Sequence, residues 1–391
     1  MPFAIYVLGI AVFTQGTSEF MLSGLIPELA RDMHVSVPAA GLLTSAFAVG
    51  MIVGAPLMAV VSIRWQRRRA LLIFLIAFMV VHVVGALTTS FTLLFISRIA
   101  GALANAGFLA VALSAAMSMV PSNMKGRATA VLLGGVTVAC VLGVPGGALV
   151  GELWGWRAAF WAVAVISAPA VVAIMFTAPA DPDTTFVPNT ARELASLRQR
   201  PLQLTLVLGA LINGATFCSF TYLAPTLTDI TGFDSRWVPL LLGVFGLGSF
   251  IGVTIGGRLA DTYPFQLLVA GATALLLGWI VFALSAAHPV TALTMLFVQG
   301  ALSFAVGSTL ISRVLYAADA APTLGGSFAT AAFNVGAALG PGLGGVAIGI
   351  GFGYRAPLWT SAALVALAIV IAAAATSSFK KLACGPDSAL V

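Results

Sequence analysis

Charged residues are scarce in this chain of 391 residues: Asp, Glu, Lys and Arg make up 8% of it, whereas 60% of its residues are hydrophobic. Soluble globular domains contain about 25% charged residues. The composition therefore excludes a soluble globular protein. No stretch is long and polar enough to hold a soluble catalytic domain, so we expect no enzymatic activity.

Other absences exclude further classes of protein and of site. Cys140, Cys218 and Cys384 form no Cys-x-x-Cys pair and have no histidines at metal-binding spacing, so we expect neither a disulfide framework nor a metal site. There is no P-loop, so ATP is not expected as an energy source. The net charge of +6 lacks the clustered soluble face of a nucleic-acid-binding protein. The first apolar stretch lacks a basic flank and a cleavage site, which predicts no cleaved signal peptide.

What the chain has in abundance is apolar runs of about 20 residues, each long enough to cross about 30 Å of hydrocarbon as an α-helix. Backbone groups in lipid must be satisfied within their own segment, and barrel strands would be about half as long. We therefore predict an all-α polytopic membrane protein. The predicted spans are about 3–27, 39–62, 70–88, 92–118, 127–150, 158–178, 202–225, 238–260, 265–287, 291–315, 325–350 and 357–378.

The distribution of Lys and Arg predicts the orientation, because short cytoplasmic loops are enriched in both. With the N-terminus in the cytoplasm, thirteen of the 18 basic residues fall in cytoplasmic segments. Four fall in outer loops, namely Arg31, Arg157, Arg236 and Arg355, and Arg98 lies inside the fourth span. We therefore expect both termini to be cytoplasmic and the protein to span the cell inner (plasma) membrane.

An internal repeat relates the two halves of the chain. GWRAAFW at 155–161 matches GYRAPLW at 353–359 with an offset of 198, and the same offset lays Gly16 on Gly214. Matched halves around a central substrate site are typical of transporters, in which the halves rock to expose the site to one side and then the other.

The repeat predicts four segments. The N-terminal six-helix half covers 1–178 and the C-terminal six-helix half covers 202–378. A polar cytoplasmic linker, 179–201, joins them and includes a short amphipathic helix near 190–199. The remaining residues, 379–391, form a cytoplasmic tail.

The first span carries a carboxylate, Glu19, well inside it. Gln15, Glu19 and Ser23 follow at i, i+4 and i+8, so their side chains share one helix face. An ionisable residue at membrane depth indicates a functional site. We predict that Glu19 carries protons or faces the substrate, with Gln15 and Ser23 beside it in the substrate site. The alternative is that Glu19 only pairs with a neighbouring helix and fixes packing.

The repeat aligns this polar face with residues of the seventh span. Asn213, Phe217 and Thr221 occupy the equivalent positions, so the acid is replaced by an aromatic residue. This asymmetry predicts ion chemistry in the first half and contact with an apolar substrate in the second. The alternative is that Phe217 is an ordinary core or lipid-facing side chain.

The fourth span carries Arg98 and, two turns later on the same face, Asn105. A buried guanidinium needs a carboxylate, backbone carbonyls or water, and Glu19 is the obvious candidate. We predict that Arg98 takes part in proton coupling and that Asn105 contacts the substrate. The alternative is a purely structural Arg98 that ties spans together.

Small residues recur at every fourth position of the fifth span, from Gly135 to Gly151, and of the eleventh. Gly143 and Gly147 belong to the first stripe, and Pro145 between them is expected to add a bend. Such stripes allow close helix approach and predict surfaces that slide or rock, with static packing as the alternative.

The cytoplasmic end of the eighth span reads GRLAD at 257–261. Arg258 and Asp261 sit there at a membrane boundary, where ion pairs could latch a cytoplasmic gate.

These motifs resemble those of the major facilitator superfamily. GGRLAD at 256–261 resembles its loop motif, RIAGALANAG at 98–107 its fourth-span Arg motif, and GGVTVACVLGVPGGALVG at 134–151 its antiporter motif. The chain as a whole is most similar to the twelve-span drug:proton antiporters, in particular actinobacterial chloramphenicol-resistance exporters. Two departures stand out: Ala59 and Ile63 replace the usual Gly and Asp of the first-half loop, and Gly101-Ala102 replaces the Gln-Gly after the fourth-span Arg.

The resemblance implies the major facilitator fold and the export of a neutral amphiphilic antibiotic, chloramphenicol above all, in exchange for protons. It implies no cofactor beyond the proton gradient. The expected partners are the drug, protons and the lipid bilayer, with no nucleic acid, and the expected state is a monomer. An exporter of a sugar or another small metabolite on the same fold is the alternative.

Overall fold

The computed structural model describes residues 2–62, 65–121, 124–177, 190–259, 262–318, 321 and 324–375. Within these ranges the chain is helical, and 12 helices are long and apolar enough to cross a membrane. The predicted all-α polytopic class and the predicted number of spans are therefore confirmed. Helices form because each satisfies its own backbone hydrogen bonds, which lipid cannot do.

The contacts divide the chain into two units. Unit 1 comprises Met1–Val187 and Ser235–Gly243, and unit 2 comprises Pro188–Asp234 and Val244–Val391. The helices of unit 1 are α1 (Phe3–Phe20), α2 (Leu22–Asp32), α3 (Val37–Ser62), α4 (Arg67–Leu87), α5 (Phe91–Ser118), α6 (Lys125–Val138), α7 (Val144–Trp154) and α8 (Trp156–Thr177). The remaining helices are α9 (Thr190–Ala195), α10 (Arg200–Thr221), α11 (Leu223–Pro225), α12 (Val238–Leu259), α13 (Pro264–Ser285), α14 (Pro289–Ala317), α15 (Gly325–Ala347) and α16 (Ala356–Ala374).

Unit 1 contains two apolar clusters, in which side chains of α1 and α2 pack against neighbouring helices. In one, Ile5 of α1 packs with Phe74 of α4 and Phe108 of α5. In the other, Leu25 of α2 packs with Phe160 of α8. Lipid is as apolar as these side chains, so close packing rather than escape from water favours the contacts.

The small-residue stripe of the fifth span packs against α1 and α2. A Cβ added at Gly135 would lie 2.5 Å from the carbonyl oxygen of Gly9, and one at Gly147 would lie 2.7 Å from Met21 Cβ. Between α6 and α7 the chain makes a π-helical turn, Ala139–Gly143, just before Pro145. Such a turn widens the helix locally and is common at functional sites.

In unit 2 a second stripe of small residues brings α15 onto α10. Added Cβ atoms at Gly336 and Gly340 would collide with the carbonyl oxygens of Ala210 and Gly214. Because the obstacles are backbone atoms, no rotamer change can relieve such a collision.

We therefore expect Gly340→Ala to destabilise the protein by about 1–3 kcal/mol, the usual range for an overpacked site. Gly342→Ala is the matched control, since an added Cβ there meets nothing within 4 Å. That control should be neutral or stabilising, because Ala loses less backbone entropy than Gly in a helix. The thermal unfolding midpoints of both variants in detergent test this expectation, and equal midpoints would contradict it.

The short helix expected near 190–199 is present as α9 followed by a 3-10 turn, Ser196–Arg198. Leu197 packs against an apolar cluster that includes Leu202 and Val314. Glu193 is buried, and its carboxylate accepts a hydrogen bond of 2.8 Å from the backbone N–H of Leu324, the N-cap residue of α15. This end of the linker is therefore part of unit 2. The exact limits of the predicted halves, the linker and the tail stay predictions, and residues 178–189 and 376–391 lie outside the described ranges.

Candidate functional site

The polar face of the first span is divided between two helices. Gln15 and Glu19 lie on α1, which ends at Phe20, whereas Ser23 lies on α2. The continuous helix expected over about 3–27 is therefore interrupted, and Ser23 Oγ donates to the carbonyl oxygen of Phe20 at 3.1 Å. Pro27 lacks the N–H that would bond the carbonyl of Ser23, which weakens the helix at this level.

Arg98 binds the residue next to Glu19. Its Nη1 donates to Ser18 Oγ at 2.8 Å and its Nη2 donates to the carbonyl oxygen of Ser18 at 2.9 Å. The side chain is 2% exposed, and the guanidinium lies 4.5 Å from the centre of the Phe47 ring. A hydroxyl, a backbone carbonyl and an aromatic face thus take the place of the carboxylate expected from the sequence.

Glu19 is consequently left without a hydrogen-bonded cation among the described residues. Its carboxylate is half-buried and close enough to Arg98 for the two charges to attract each other. The expected ion pair between Glu19 and Arg98 is therefore replaced by a longer-range interaction. A carboxylate in this position can gain or lose a proton without first breaking a salt bridge.

Ser18 also contacts a buried histidine that the sequence analysis did not single out. His82 Nε2 lies 2.6 Å from Ser18 Oγ, and His82 Nδ1 lies 2.7 Å from the carbonyl oxygen of Phe78. His82 is 2% exposed and lies on α4. Its position as an ionisable residue inside an apolar span was the sequence signal that could have identified it.

Two amides near this site have few partners. Gln15 is fully buried, and neither its Oε1 nor its Nε2 has a hydrogen-bond partner among the described residues. Asn105 donates to Met51 Sδ at 3.6 Å, and a thioether is a weak acceptor. A buried polar group without a partner costs about 1–3 kcal/mol. The amide of Gln15 therefore keeps its full capacity for hydrogen bonds, and that of Asn105 keeps most of it.

Residues of the antiporter motif pack against the side of α1 that faces away from Glu19. A Cβ added at Gly143 would collide with Thr17, and Gly147 packs against Met21. Thr17 and Met21 lie two positions before and after Glu19, so they face away from it on the helix. Pro145 lies near Gly243, the last residue of unit 1, at 3.6 Å from an added Cβ there.

The polar and aromatic face of α10 is buried within unit 2. Asn213 Nδ2 donates to the carbonyl oxygen of Phe333 on α15 at 2.7 Å. Phe217 is 6% exposed and contacts Phe220 edge-on, at 6.2 Å between ring centres. Thr221 is 1% exposed, and its hydroxyl has no partner among the described residues. Asn213 therefore has a packing role besides the predicted substrate contact, and Phe217 does not face lipid.

The predicted cytoplasmic gate is described only in part. Arg258 is exposed in the last turn of α12, whereas Asp261 lies outside the described residues, as do Ile63 and the side chain of Ala59. The latch therefore stays a prediction.

The repeated motifs at 155–161 and 353–359 anchor helix ends. Gly155 has a φ of 85°, a conformation that favours glycine, and it turns the chain from α7 into α8. Arg157 forms an ion pair with Asp32 at the end of α2, and Trp156 Nε1 donates to the same carboxylate at 3.0 Å. Trp156 N also donates to Glu28 Oε1 at 3.3 Å.

The second copy repeats this contact between equivalent positions. Thr226, which the offset of 198 pairs with Glu28, donates to the carbonyl oxygen of Tyr354 at 3.0 Å. The motif therefore has a structural role in each unit.

The hydrogen bonds from Arg157 and Trp156 hold the pKa of Asp32 below its ordinary value. A carboxyl whose pKa is lowered by folding adds stability above its unfolded pKa of about 3.9, and that stability is lost as the pH falls below this value. We expect Asp32→Asn to lower stability at pH 7 by less than about 1 kcal/mol, because the pair is largely exposed. The difference from the wild type should be smaller at about pH 3 than at pH 7, and it should vanish only below the lowered pKa of Asp32. Thermal unfolding at both pH values measures it, and Arg157→Gln should show the same pH dependence.

Comparison with known families identifies the chain. The sequence model of the Major Facilitator Superfamily matches residues 8–330. The chain belongs to the Major Facilitator Superfamily. As a member of this superfamily it is a multi-pass membrane transporter, and its twelve candidate spans among the described residues agree with the fold.

Several known proteins are similar to this chain over nearly the whole length. The "Chloramphenicol resistance protein" of Streptomyces lividans is 54% identical over 375 residues, which cover 95% of this chain and 96% of the relative. "Inner membrane transport protein YdhP" of Escherichia coli (strain K12) is 36% identical over 372 residues, covering 94% and 95%. A solved structure of a bacterial homologue of the human lysosomal transporter Spinster, inward-facing and occupied, has a TM-score of 0.81 at 17% identity over 98% of each chain. That likeness supports the fold alone.

Proposed function

We propose that this superfamily member is a proton-coupled antiporter that exports a neutral amphiphilic antibiotic, with chloramphenicol as its main substrate. The similarity to a chloramphenicol resistance protein over 95% of the chain supports the substrate. The observation that carries the coupling is Glu19, a carboxylate within an apolar span whose neighbouring cation, Arg98, is hydrogen-bonded to Ser18 instead.

Glu19 binds the proton in this proposal. With Arg98 held by Ser18, the carboxylate interacts with a nearby positive charge while its oxygens stay free for a proton. Protonation cancels its attraction to Arg98, and deprotonation restores it, so the two protonation states favour different local arrangements of α1 and α5. Gly143 and Gly147 form the closely packed support against which α1 moves, and Pro145 lies between them just after the π-helical turn.

The drug binds through amide and aromatic contacts. In unit 1, Gln15 is the main contact with the drug, because both polar atoms of its buried amide lack partners among the described residues. Asn105 and Ser23 are the further contacts in that unit. In unit 2, Phe217 supplies an aromatic surface and Thr221 a hydroxyl without a described partner, with Asn213 beside them. Arg258 and Asp261 close the cytoplasmic gate.

The proton gradient is the only energy source that this cycle needs, and it uses no cofactor. A neutral drug exchanged for one proton moves one net charge, which is worth about 2.3 kcal/mol per 100 mV of membrane potential. Both the pH gradient and the potential therefore drive export. The protein works as a monomer in the inner membrane, with both termini in the cytoplasm.

A drug-sensitive bacterial host that expresses the protein tests this proposal. Expression should raise the chloramphenicol concentration that stops growth and lower the accumulation of labelled drug, and an uncoupler should abolish the second effect. Purified protein in liposomes should move chloramphenicol against its gradient only when a proton gradient is imposed. If labelled chloramphenicol is neither bound nor moved, the exporter of a sugar or another small metabolite becomes the better hypothesis.

The orientation predicts which surface residues a membrane-impermeant thiol reagent can reach. In a background lacking Cys140, Cys218 and Cys384, we expect Gln66→Cys and Gln199→Cys to react only from the cytoplasmic side. Asp234→Cys and His288→Cys should react in intact cells. All four positions are exposed, so poor reactivity would not result from burial. Labelling with the sides exchanged would contradict the proposed orientation.

A further inference from the structure

The hydrogen bonds around His82 determine the position of its protons. A carbonyl oxygen only accepts hydrogen bonds, so His82 Nδ1, 2.7 Å from the carbonyl of Phe78, must carry a proton. In a neutral ring Nε2 is then an acceptor, and Ser18 O–H donates to it across 2.6 Å. Arg98 in turn donates to Ser18 Oγ. The chain of donors therefore runs from Arg98 through Ser18 and His82 to the backbone of α4.

A positively charged His82 would not fit this arrangement. Its Nε2–H would donate to the same oxygen that already accepts from Arg98, which would place two cations on one hydroxyl. Both side chains are 2% exposed, and a second buried charge there would have no counterion within hydrogen-bond distance. The neutral ring protonated on Nδ1 is the form that satisfies every contact.

His82 also keeps the Ser18 hydroxyl away from its own helix. Hydroxyls inside helices commonly donate to the carbonyl oxygen four residues earlier. Ser167, Thr205 and Ser249 all do so in this protein, at 2.8–2.9 Å. Ser18 instead gives its proton to His82, so its oxygen lone pairs remain available to Arg98.

The surroundings hold the His82 ring in place. The ring packs against Phe78, with 4.1 Å between ring centres, and against Phe160, at 5.8 Å. On α5, position 101 is glycine, and an added Cβ there would already lie 3.8 Å from His82 Cε1. A larger side chain at that position would press on the ring.

We propose that His82 is a positioning residue for proton coupling: it orients the Ser18 hydroxyl, and through it holds the Arg98 guanidinium beside Glu19. The proposal rests on the proposed function, because it concerns the turnover of the same exchange. His82 touches neither drug nor transferred proton in this role. Its loss should therefore change the rate of proton-driven export and leave drug affinity unchanged.

Nitrogen NMR of the wild-type protein tests the first step without any transport measurement. The chain has 3 histidines, so ¹⁵N-histidine labelling gives few signals, and the signals lost in His82→Gln identify those of His82. At pH 7 we expect a neutral ring with its proton on Nδ1 and an unprotonated Nε2. A ring protonated on Nε2, or on both nitrogens, would overturn the proposal.

Export by variants at position 82 tests the second step. His82→Leu should lower the turnover of proton-driven export about tenfold, as expected for the loss of one hydrogen bond, with KM for chloramphenicol unchanged. His82→Gln retains an acceptor near the position of Nε2 and should recover most of the activity. His288→Leu, the same change at an exposed histidine, is the control and should leave the turnover of export unchanged. Equal losses in His82→Leu and His82→Gln would refute the positioning role.

A double-mutant cycle separates this role from simple packing. Ser18→Ala removes the hydroxyl through which His82 acts, so His82→Leu should cause no further loss of turnover in that background. Additive losses would show that His82 acts independently of Ser18. If the wild type moves no chloramphenicol, the proposed function fails, whereas the histidine spectrum still decides how Ser18 and Arg98 are held.

Discussion

Replacing Glu19 with Gln is expected to abolish export against a gradient. The substituted side chain is almost the same size but cannot carry a proton, so a cycle that needs the proton to bind and leave can no longer couple to the gradient. In liposomes with an imposed proton gradient, the accumulation ratio of chloramphenicol should fall to about one. Drug exchange without a gradient should persist, because binding does not require the charge.

Glu152→Gln is the matched control for this experiment. Glu152 is an exposed carboxylate at the end of α7, where it accepts a hydrogen bond from Ser235. The same chemical change there should leave export intact. If Glu19→Gln still accumulates the drug like the wild type, coupling resides elsewhere, and Asp261 would be the next residue to test.

Truncating Phe217 to Ala is expected to weaken chloramphenicol binding by about 1–3 kcal/mol, a roughly tenfold to hundredfold rise in Kd. Chloramphenicol presents a flat nitrophenyl ring, and aromatic side chains pair with such rings through offset or edge-on contacts. Proton binding should be unaffected, because the carboxylate lies on α1. Phe217→Leu keeps much of the apolar volume and should fall between the wild type and Ala.

Phe250→Ala controls for the general loss of an aromatic side chain. Phe250 lies on α12 and is 46% exposed, as a lipid-facing residue would be. Equilibrium binding of labelled chloramphenicol to the purified variants gives the comparison. An unchanged affinity in Phe217→Ala would place the aromatic contact at another residue.

A substitution of Asn213 would not isolate a contact with the drug. Its amide donates to the backbone carbonyl of Phe333, so Asn213→Leu would remove a hydrogen bond between α10 and α15. A drop in affinity in that variant would therefore mix lost drug contact with loosened packing between α10 and α15.

The sequence was sufficient for the architecture because span length and apolar content alone require helices in lipid. It was also sufficient for the close approach of helices at Gly135 and Gly340, since the absence of side chains is visible in the sequence. The interruption after Phe20 was not predicted. Pro27 was visible, but the position of a break depends on packing against α6 and α7 as well as on the proline.

The partners of Arg98 could not be predicted from residue types. The sequence favoured the carboxylate of Glu19 because few acidic residues lie at membrane depth. In the structure, Nη1 and Nη2 of the guanidinium bond instead to Ser18, the residue immediately before Glu19. His82 was overlooked for a related reason: its importance comes from a contact between α4 and α1, and nothing in either segment alone reveals that contact.

The hydrogen bond from Leu324 to Glu193 determines where the chain could be divided into two co-expressed fragments. The N-terminus of α15 is hydrogen-bonded to a carboxylate that precedes α10 in the sequence. A C-terminal fragment that starts at Pro188 would carry its own cap for α15. A fragment that starts at Arg200 would lack both the cap and Leu197, and a donor group at the start of a 23-residue helix would be left without its acceptor. Fragment complementation should thus tolerate a cut before α9 far better than one after it.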